Sequence, residues 1–250
     1  MSTPSWLVAK PIAHRGLHDK ANGIVENTIS AAEAAIMRDF PIELDVQLTA
    51  DNEAIVFHDF ELDRVTGETG PVIERNLSGL TGIEIAGTMG GDRIPALKDY
   101  LAKIAGRTPL VIEIKSKFNG DMRLTKRVVE ILADYSGPFV VKSFDPDIVA
   151  YLRQHAPNIT RGFIGELEYA SKSDSFLSPE QKHRMANLLH FSETQPQFLS
   201  WRVKDLPCAS TYLSRLLGHI PVMTWTVRNP EDRARAEKHA DQMVFEGFIP

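Results

Sequence analysis

The feature of this sequence that most restricts its fold is a regular alternation of short β-rich runs with amphipathic stretches. Such alternation is typical of a parallel sheet, either closed into a barrel or doubly wound. The nine predicted strands are IAHR (12–15), IELDV (42–46), AIVFH (54–58), LVIEI (110–114), FVVKS (139–143), TRGFIG (160–165), FLSW (198–201), VMTWTV (222–227) and MVFE (243–246). The clearest predicted helices are 28–39, with Asn27 or Thr28 as its cap, 96–105, 122–134, 146–155 and 230–239.

One connection in this pattern is too short to contain a helix. QLTADNE (47–53) joins the second predicted strand to the third, whereas a crossover between parallel strands needs roughly a dozen residues or more. We therefore predict an antiparallel hairpin that turns near Ala50-Asp51-Asn52. Without 54–58, eight parallel strands remain, and this number predicts a (β/α)8 TIM barrel.

The length of 250 residues fits one such barrel. Residues 59–95 are rich in Gly and Thr and follow neither the helical nor the strand period. Since structureless loops of that size are uncommon in compact domains, we interpret the segment as an insertion or a lid. No repeat, low-complexity tract or linker divides the chain, so a single domain over residues 1–250 is predicted.

Charge and hydropathy exclude several classes of partner. The net charge is −5 and there is no Lys/Arg-rich run, which argues against nucleic acid. No apolar stretch approaches the roughly 18 residues of a membrane span, and MSTPSWLVAKPIAHRG lacks the features of a signal peptide. We expect a cytoplasmic protein without stable membrane insertion, in agreement with a single cysteine, Cys208. Nothing indicates the oligomeric state.

Three acidic residues stand in apolar predicted strands. Glu43 and Asp45 lie two positions apart and so project from one face of their strand, and Glu113 lies in LVIEI. A carboxylate in such surroundings is costly to bury unless it is paired or binds a metal. One alternative is neutralisation by a nearby cation such as Lys115. For three carboxylates from two strands, a site for Mg²⁺ or Ca²⁺ is the better prediction.

Two histidines stand at predicted strand ends. His14 ends the first strand and His58 ends the third. With a hairpin turn at 50–51, residue 58 falls roughly opposite residue 43, which predicts that His58 shares a face with the acidic pair. His14 joins them if both strands open onto the catalytic rim of the barrel. Two such histidines can supply a general acid and a general base.

Two cations lie next to these residues in the sequence. Arg15 follows His14, and Lys115 lies two positions after Glu113. Arginine binds phosphate through its planar fork and lysine as a point charge. Together with a metal and two histidines, they predict the cleavage of a phosphodiester.

The chain also resembles a known family. Each of its shared motifs is weak alone, but their order and spacing from near residue 10 to near residue 230 are specific. The motifs are HRG (14–16), ENT (26–28), ELDVQLTAD (43–51), VFHD (56–59), IPAL (94–97), IEIK (112–115), SFDP (143–146) and WTV (225–227). This set resembles the glycerophosphodiester phosphodiesterases.

The resemblance implies a (β/α)8 barrel with an inserted region at about 59–109. It also implies hydrolysis of diesters such as glycerophosphocholine or glycerophosphoethanolamine to sn-glycerol 3-phosphate and an alcohol. In that chemistry the glycerol hydroxyl attacks first, and water then opens the cyclic phosphate. The implied site residues are His14 and His58 (acid–base), Arg15, Lys115, Phe144 and Trp225 (substrate), and Glu43, Asp45 and Glu113 (one divalent cation, Mg²⁺ or Ca²⁺, with Mn²⁺ as a third choice). For Phe144 and Trp225, plain barrel packing is an equal alternative.

The sequence departs from the family pattern at positions that concern the substrate rather than the chemistry. Val25 stands where proline commonly precedes ENT, and Asn52 replaces the glycine of the hairpin turn. Arg228 stands where asparagine often follows WTV. The C-terminal FEGFIP (245–250) replaces a Thr-Asp-Arg-Pro type ending, so Glu246 either stands in for the aspartate or belongs to a different closing strand. His18 either lines the pocket and contacts an alcohol hydroxyl or a phosphate, or is a solvated loop residue, and we favour the solvated interpretation.

Two other functions compete with this prediction. A lysophospholipase D or sphingomyelinase D type enzyme would share the fold, the histidines and the carboxylates, but the long inserted region favours the glycerophosphodiester branch. A barrel that binds a phosphorylated ligand without turnover ranks lower, because the metal and acid–base residues are all present. The identity of the leaving alcohol is not encoded in any motif.

Overall fold

The computed structural model describes residues 3–170 and 175–250. Eight parallel strands close into a barrel, since β1 pairs with both β2 and β9, and β3 adds an antiparallel strand outside β2. The TIM-barrel prediction is confirmed. The strands are β1 (Ile12–Ala13), β2 (Ile42–Leu48), β3 (Ala54–Val56), β4 (Leu110–Ile114), β5 (Phe139–Ser143), β6 (Arg161–Gly165), β7 (Phe198–Arg202), β8 (Val222–Val227) and β9 (Gln242–Phe245).

Helices follow the strands around the outside of the barrel. They are α1 (Ile29–Met37), α2 (Leu77–Leu80), α3 (Leu97–Ile104), α4 (Arg123–Ala133), α5 (Pro146–His155), α6 (Pro179–Ala186), α7 (Phe191–Thr194), α8 (Ala209–Gly218) and α9 (Pro230–His239). All five predicted helices are present. Thr28 caps α1, because its hydroxyl accepts a hydrogen bond from the Ala31 amide. Proline opens α5 and α9, where its missing N–H costs no hydrogen bond.

The predicted hairpin is confirmed, but the predicted position of His58 in it is wrong. β2 and β3 pair Val46 with Val56 and Gln47 with Ile55, a register that extrapolates residue 58 to a place opposite residue 44, not 43. Adjacent residues of a strand point to opposite faces, so the ladder alone would turn His58 away from the acidic pair. His58 reaches the site because β3 ends at Val56 and the chain bends, with the His58 carbonyl accepting a hydrogen bond from Gln47 Nε2 at 2.9 Å.

The segment between β3 and α3 is ordered around a small apolar core of its own. Its buried side chains include Leu62, Val72, Leu80 and Ile85, which pack with Ile55 of β3. The helix α3 falls inside the predicted insertion of 59–109, and it contacts α1 and β3 as a barrel helix does. A single domain with an insertion of those bounds remains a prediction.

The barrel interior has an apolar layer beneath a charged one. Val111 of β4 and Val140 of β5 lie in a buried cluster with residues of five other segments. Two positions further along the same strands stand Glu113 and Lys142, which therefore project into the same interior. The charged layer lies toward the carboxyl ends of the strands, where barrel enzymes place their active sites. Among the described residues, no helix is both long and apolar enough to cross a membrane.

We expect His190 to make the fold sensitive to acid. The side chain is fully buried beside Phe163, and burial followed by the charge of Arg184 lowers the pKa of His190 from 6.5 to about 4. Between those values the unfolded chain binds the extra proton, so stability falls as the pH falls. Lowering the pH from 7 to 5 should remove about 2 kcal/mol of unfolding free energy through this residue.

Urea unfolding at the two pH values tests this expectation. His190→Gln should lose less stability on acidification than the wild type, whereas His155→Gln, at an exposed position on α5, should behave as the wild type does. An identical pH dependence in all three proteins would contradict the assignment to His190.

Candidate active site

Three buried carboxylates converge inside the barrel, two from β2 and one from β4. Glu43, Asp45 and Glu113 are between 1% and 5% exposed. One oxygen of each lies within 4.8 Å of the others. The structure thus brings together the three residues that the sequence pattern singled out.

Two lysines lie against these carboxylates. Lys115 Nζ lies 2.7 Å from Asp45 Oδ1 and 2.5 Å from Glu113 Oε1. Lys142, from the adjacent β5, is 2% exposed, and its Nζ lies 2.9 Å from Glu43 Oε1. The two lysines therefore neutralise the carboxylates, as the alternative prediction held, while the three carboxylates still converge as a metal site requires. Sequence reasoning missed Lys142, although a lysine inside FVVKS is as unusual as a glutamate inside LVIEI.

The charges in this cluster keep one another ionised. Burial alone would raise the pKa of Asp45, but the charges of Lys115 and His58 hold it well below its ordinary value. Burial raises the pKa of Glu113, but the charges of Lys115 and Lys142 and the hydrogen bond from Lys115 together outweigh it, so the net shift is downward. Burial lowers the pKa of Lys115, which its two carboxylate partners raise above the ordinary value. Charged forms of both signs therefore persist at neutral pH.

Arg15 is placed by an unusual backbone conformation directly after β1. Its φ of 57° lies in the left-handed region, and its amide donates to Glu43 Oε2 at 3.2 Å. The following Gly16 has a φ of 80°, and a Cβ there would lie 2.8 Å from Ala31, so the HRG motif needs a glycine. The Arg15 guanidinium lies 3.4 Å from Asp45 Oδ2 through Nε.

His14 lies between the carboxylates and the last strand. Its Nε2 is 3.9 Å from Glu43 Oε2, and its Nδ1 is 2.5 Å from Glu246 Oε2 at the end of β9. The interpretation of His18 as solvated is wrong. The side chain is only 20% exposed, and its Nε2 lies 3.5 Å from the same Glu246 oxygen.

His58 has a carboxylate partner of its own. Its Nδ1 lies 2.6 Å from Asp59 Oδ1, and Arg64 Nε donates to Asp59 Oδ2 at 2.5 Å. Burial would raise the pKa of Asp59, but its hydrogen bonds with His58 and Arg64 lower it to about 2. Arg64 also donates two hydrogen bonds to Glu26, which in turn accepts one from Arg15.

A cavity of about 600 Å³ opens beside this cluster. Its lining includes His58, Glu113, Lys115, Phe144 and Trp225. The last two rings pack edge to face with centroids 5.4 Å apart, so they both pack together and face the cavity. A larger cavity of about 920 Å³ lies between α1 and the C-terminal residues. It includes none of the three carboxylates, so the smaller cavity is the candidate active site.

The donor set suits a divalent cation such as Mg²⁺ or Ca²⁺. These hard cations prefer oxygen ligands, and Glu43, Asp45 and Glu113 present carboxylate oxygens at one point. Asn27 orients one of these groups, because its Nδ2 donates to Asp45 Oδ2 at 2.9 Å. Sequence reasoning considered Asn27 only as a helix cap and assigned no role to Glu26 or Arg64, although Glu26 and Asn27 stand within the ENT motif.

Comparison with known proteins gives one consistent family. The model of the glycerophosphoryl diester phosphodiesterase family matches residues 14–246. A glycerophosphodiester phosphodiesterase of Caldanaerobacter subterraneus is 32% identical over 161 residues, which cover 61% of this chain and 65% of the relative. YhdW of Bacillus subtilis, whose name provisionally gives the same activity, is 29% identical over 90% of this chain and 89% of its own.

Solved structures share the barrel. A phosphodiesterase of Oleispira antarctica, solved with the product sn-glycerol 3-phosphate, superposes with a TM-score of 0.76 at 19% identity. The superposition covers 94% of this chain and 91% of the Oleispira protein. At this identity the likeness establishes the fold.

Replacing Lys142 should destabilise the protein strongly. Lys142→Met leaves Glu43 buried without its cation, and breaking a buried ion pair in this way costs about 3–5 kcal/mol. Urea unfolding should show this loss, whereas Lys126→Met, at an exposed position on α4, should change stability by no more than about 0.5 kcal/mol. Adding Glu43→Gln to Lys142→Met should recover part of the loss. Equal stabilities of the two single lysine variants would contradict the role of Lys142.

Proposed function

This chain belongs to the glycerophosphoryl diester phosphodiesterase family, and on that premise we propose that it hydrolyses glycerophosphodiesters to sn-glycerol 3-phosphate and an alcohol. Glycerophosphocholine and glycerophosphoethanolamine are the proposed substrates. The observation that carries the proposal is the convergence of three buried carboxylates beside two histidines. Substrate and products are proposed to bind in the cavity of about 600 Å³, against the charged layer of the barrel interior.

The phosphate would be held by the cations of the cluster. Arg15 offers a planar fork and Lys115 a point charge, and both already lie against the carboxylates that neutralise them. Glu43, Asp45 and Glu113 would hold one divalent cation, Mg²⁺ or Ca²⁺ with Mn²⁺ as a third choice. When bound, such an ion supplies electrostatic stabilisation of the phosphoryl oxygens.

His14 and His58 would move the protons. One histidine takes the proton of the attacking hydroxyl of the substrate's own glycerol, while the other gives a proton to the leaving alkoxide. The cyclic phosphate formed in this way is opened by water with the two roles exchanged, so each histidine returns to its starting state. Each transfer contributes roughly 10²–10⁴ in rate.

The alcohol would leave through the cavity that Phe144 and Trp225 line. Trp225 is fixed there by a hydrogen bond from its Nε1 to the Ser200 carbonyl at 3.0 Å. A small alcohol needs little of a cavity of about 600 Å³. A lysophospholipase D or sphingomyelinase D type activity on a larger lipid is therefore kept as the second candidate.

The proposed enzyme acts on a small molecule in the cytoplasm, in lipid and glycerol metabolism, without a nucleic-acid partner. This proposal rests on the mild negative charge and on the single cysteine.

We expect purified protein to release glycerol 3-phosphate from glycerophosphocholine or glycerophosphoethanolamine when Mg²⁺ or Ca²⁺ is present. The release should stop when EDTA removes the metal. His14→Ala should lower kcat by about 10²–10⁴-fold, and Glu43→Ala should remove metal-dependent turnover. An enzyme-coupled assay for glycerol 3-phosphate measures both effects. His155→Ala, at an exposed position, is the matched control and should keep wild-type rates.

The remaining outcomes separate the candidates. Choline release from lysophosphatidylcholine without turnover of the small diesters would replace the proposal by the lysophospholipase D activity. Folded protein that binds a divalent cation and turns over none of these substrates would contradict hydrolysis and favour a ligand-binding barrel.

The cavity wall gives a further prediction. Trp225→Ala should raise KM by about 10-fold with a smaller change in kcat, because the ring contacts substrate similarly in the ground and transition states. Trp225→Phe keeps an aromatic face and should lie near the wild type. Steady-state kinetics measure both parameters. An unchanged KM in Trp225→Ala, together with reduced stability, would mean that Trp225 only packs the barrel.

A further inference from the structure

We propose that Glu246 is a positioning residue that turns Nε2 of His14 toward the carboxylate cluster, and that Arg228 holds Glu246 in place. The inference rests on the proposed function, since it assigns a role within that same site. Sequence comparison left Glu246 and Arg228 as two departures from the family pattern, and the structure brings the two together.

The geometry uses both oxygens of Glu246. Oε2 lies 2.5 Å from His14 Nδ1, while Oε1 accepts a hydrogen bond from Arg228 Nε at 2.5 Å. The Glu246 side chain is 19% exposed and that of His14 is 10% exposed, so water competes weakly for either contact. With Nδ1 occupied, His14 directs Nε2 toward Glu43, 3.9 Å away.

The second histidine of the site is held in the same way. His58 Nδ1 contacts Asp59, and Asp59 accepts a hydrogen bond from Arg64. Two histidines outside the site have other partners: His155 Nδ1 contacts a backbone carbonyl and His190 Nδ1 a threonine hydroxyl. A histidine, a carboxylate and an arginine in series therefore occur at each histidine of the proposed acid–base pair, although the two carboxylates, Glu246 and Asp59, are far apart in the sequence.

The carboxylate has a chemical consequence for the imidazole. A free neutral imidazole favours the proton on Nε2, whereas a carboxylate beside Nδ1 favours the proton there and leaves the Nε2 lone pair free. The same carboxylate stabilises the imidazolium once Nε2 has accepted a proton. Arg228 fixes the carboxylate through Oε1, while Oε2 faces His14 and also lies 3.5 Å from His18 Nε2.

Two measurements test the proposal: spectra of ¹⁵N-histidine-labelled protein and steady-state kinetics. Long-range ¹H–¹⁵N spectra should show neutral His14 with its proton on Nδ1 in the wild type and a shift toward the Nε2-protonated form in Glu246→Ala. Steady-state kinetics should show a fall in kcat of about 10–100-fold with KM nearly unchanged. Glu246→Asp, which keeps the charge on a shorter side chain, should recover part of both, and Arg228→Gln should give a weaker effect in the same direction.

Glu237→Ala is the matched control, because Glu237 also pairs with an arginine, Arg233, but lies exposed on α9. It should leave tautomer and kcat unchanged. A His14 tautomer in Glu246→Ala identical to that of the wild type would overturn the proposal, as would a kcat loss that Glu237→Ala reproduces. The spectra need no turnover. If the wild type hydrolyses no diester and Glu246→Ala still shows the tautomer shift, the proposed function is contradicted and the positioning of His14 remains supported.

Discussion

The charge balance inside the barrel is the constraint on which the rest of the structure depends. Three carboxylates from two adjacent strands are buried inside the barrel, and a buried charge without a partner costs several kcal/mol. Lys142 and Lys115 contact the same carboxylates that would bind a cation. The fold can therefore bury the site before any cation arrives, and the same lysines remain available to a phosphate.

Closure of the barrel brings the ends of the chain into this balance. Because β9 pairs with β1, Glu246 directly after the last strand reaches His14 directly after the first. The layer of apolar side chains below, including Val111 and Val140, fixes the height at which the charged layer begins. A register shift of one residue in β4 or β5 would exchange the two faces of that strand and remove the charge of Glu113 or Lys142 from the interior.

Much of this arrangement follows from sequence periodicity. Alternation of strands and helices predicts the barrel, and the short link 47–53 predicts the hairpin, because both depend only on local spacing. Glu43, Asp45 and Glu113 are recognisable since a carboxylate in an apolar strand demands a reason. Periodicity does not say which strand is the spatial neighbour of which charge. The contact of Lys142 with Glu43 therefore escaped prediction.

His58 and His18 show a second limit, which concerns where a chain leaves its regular element. The hairpin register, extended past Val56, turns His58 away from the site, and only the bend after β3 brings it back. A loop position such as His18 carries no period at all, so its burial against Glu246 depends on the closing strand.

The segment between β3 and α3 has a structural part in the site that its weak sequence pattern conceals. Arg64 belongs to this segment, and it joins Asp59 to Glu26, which binds Arg15. A continuous series of ion pairs thus runs from His58, through Arg64, to the proposed phosphate ligand. The small apolar core beneath holds the segment in place, with Leu62 and Val72 fully buried. Because this segment contacts both the proposed proton-transfer group and the proposed phosphate ligand, a core of its own helps to hold the two in place.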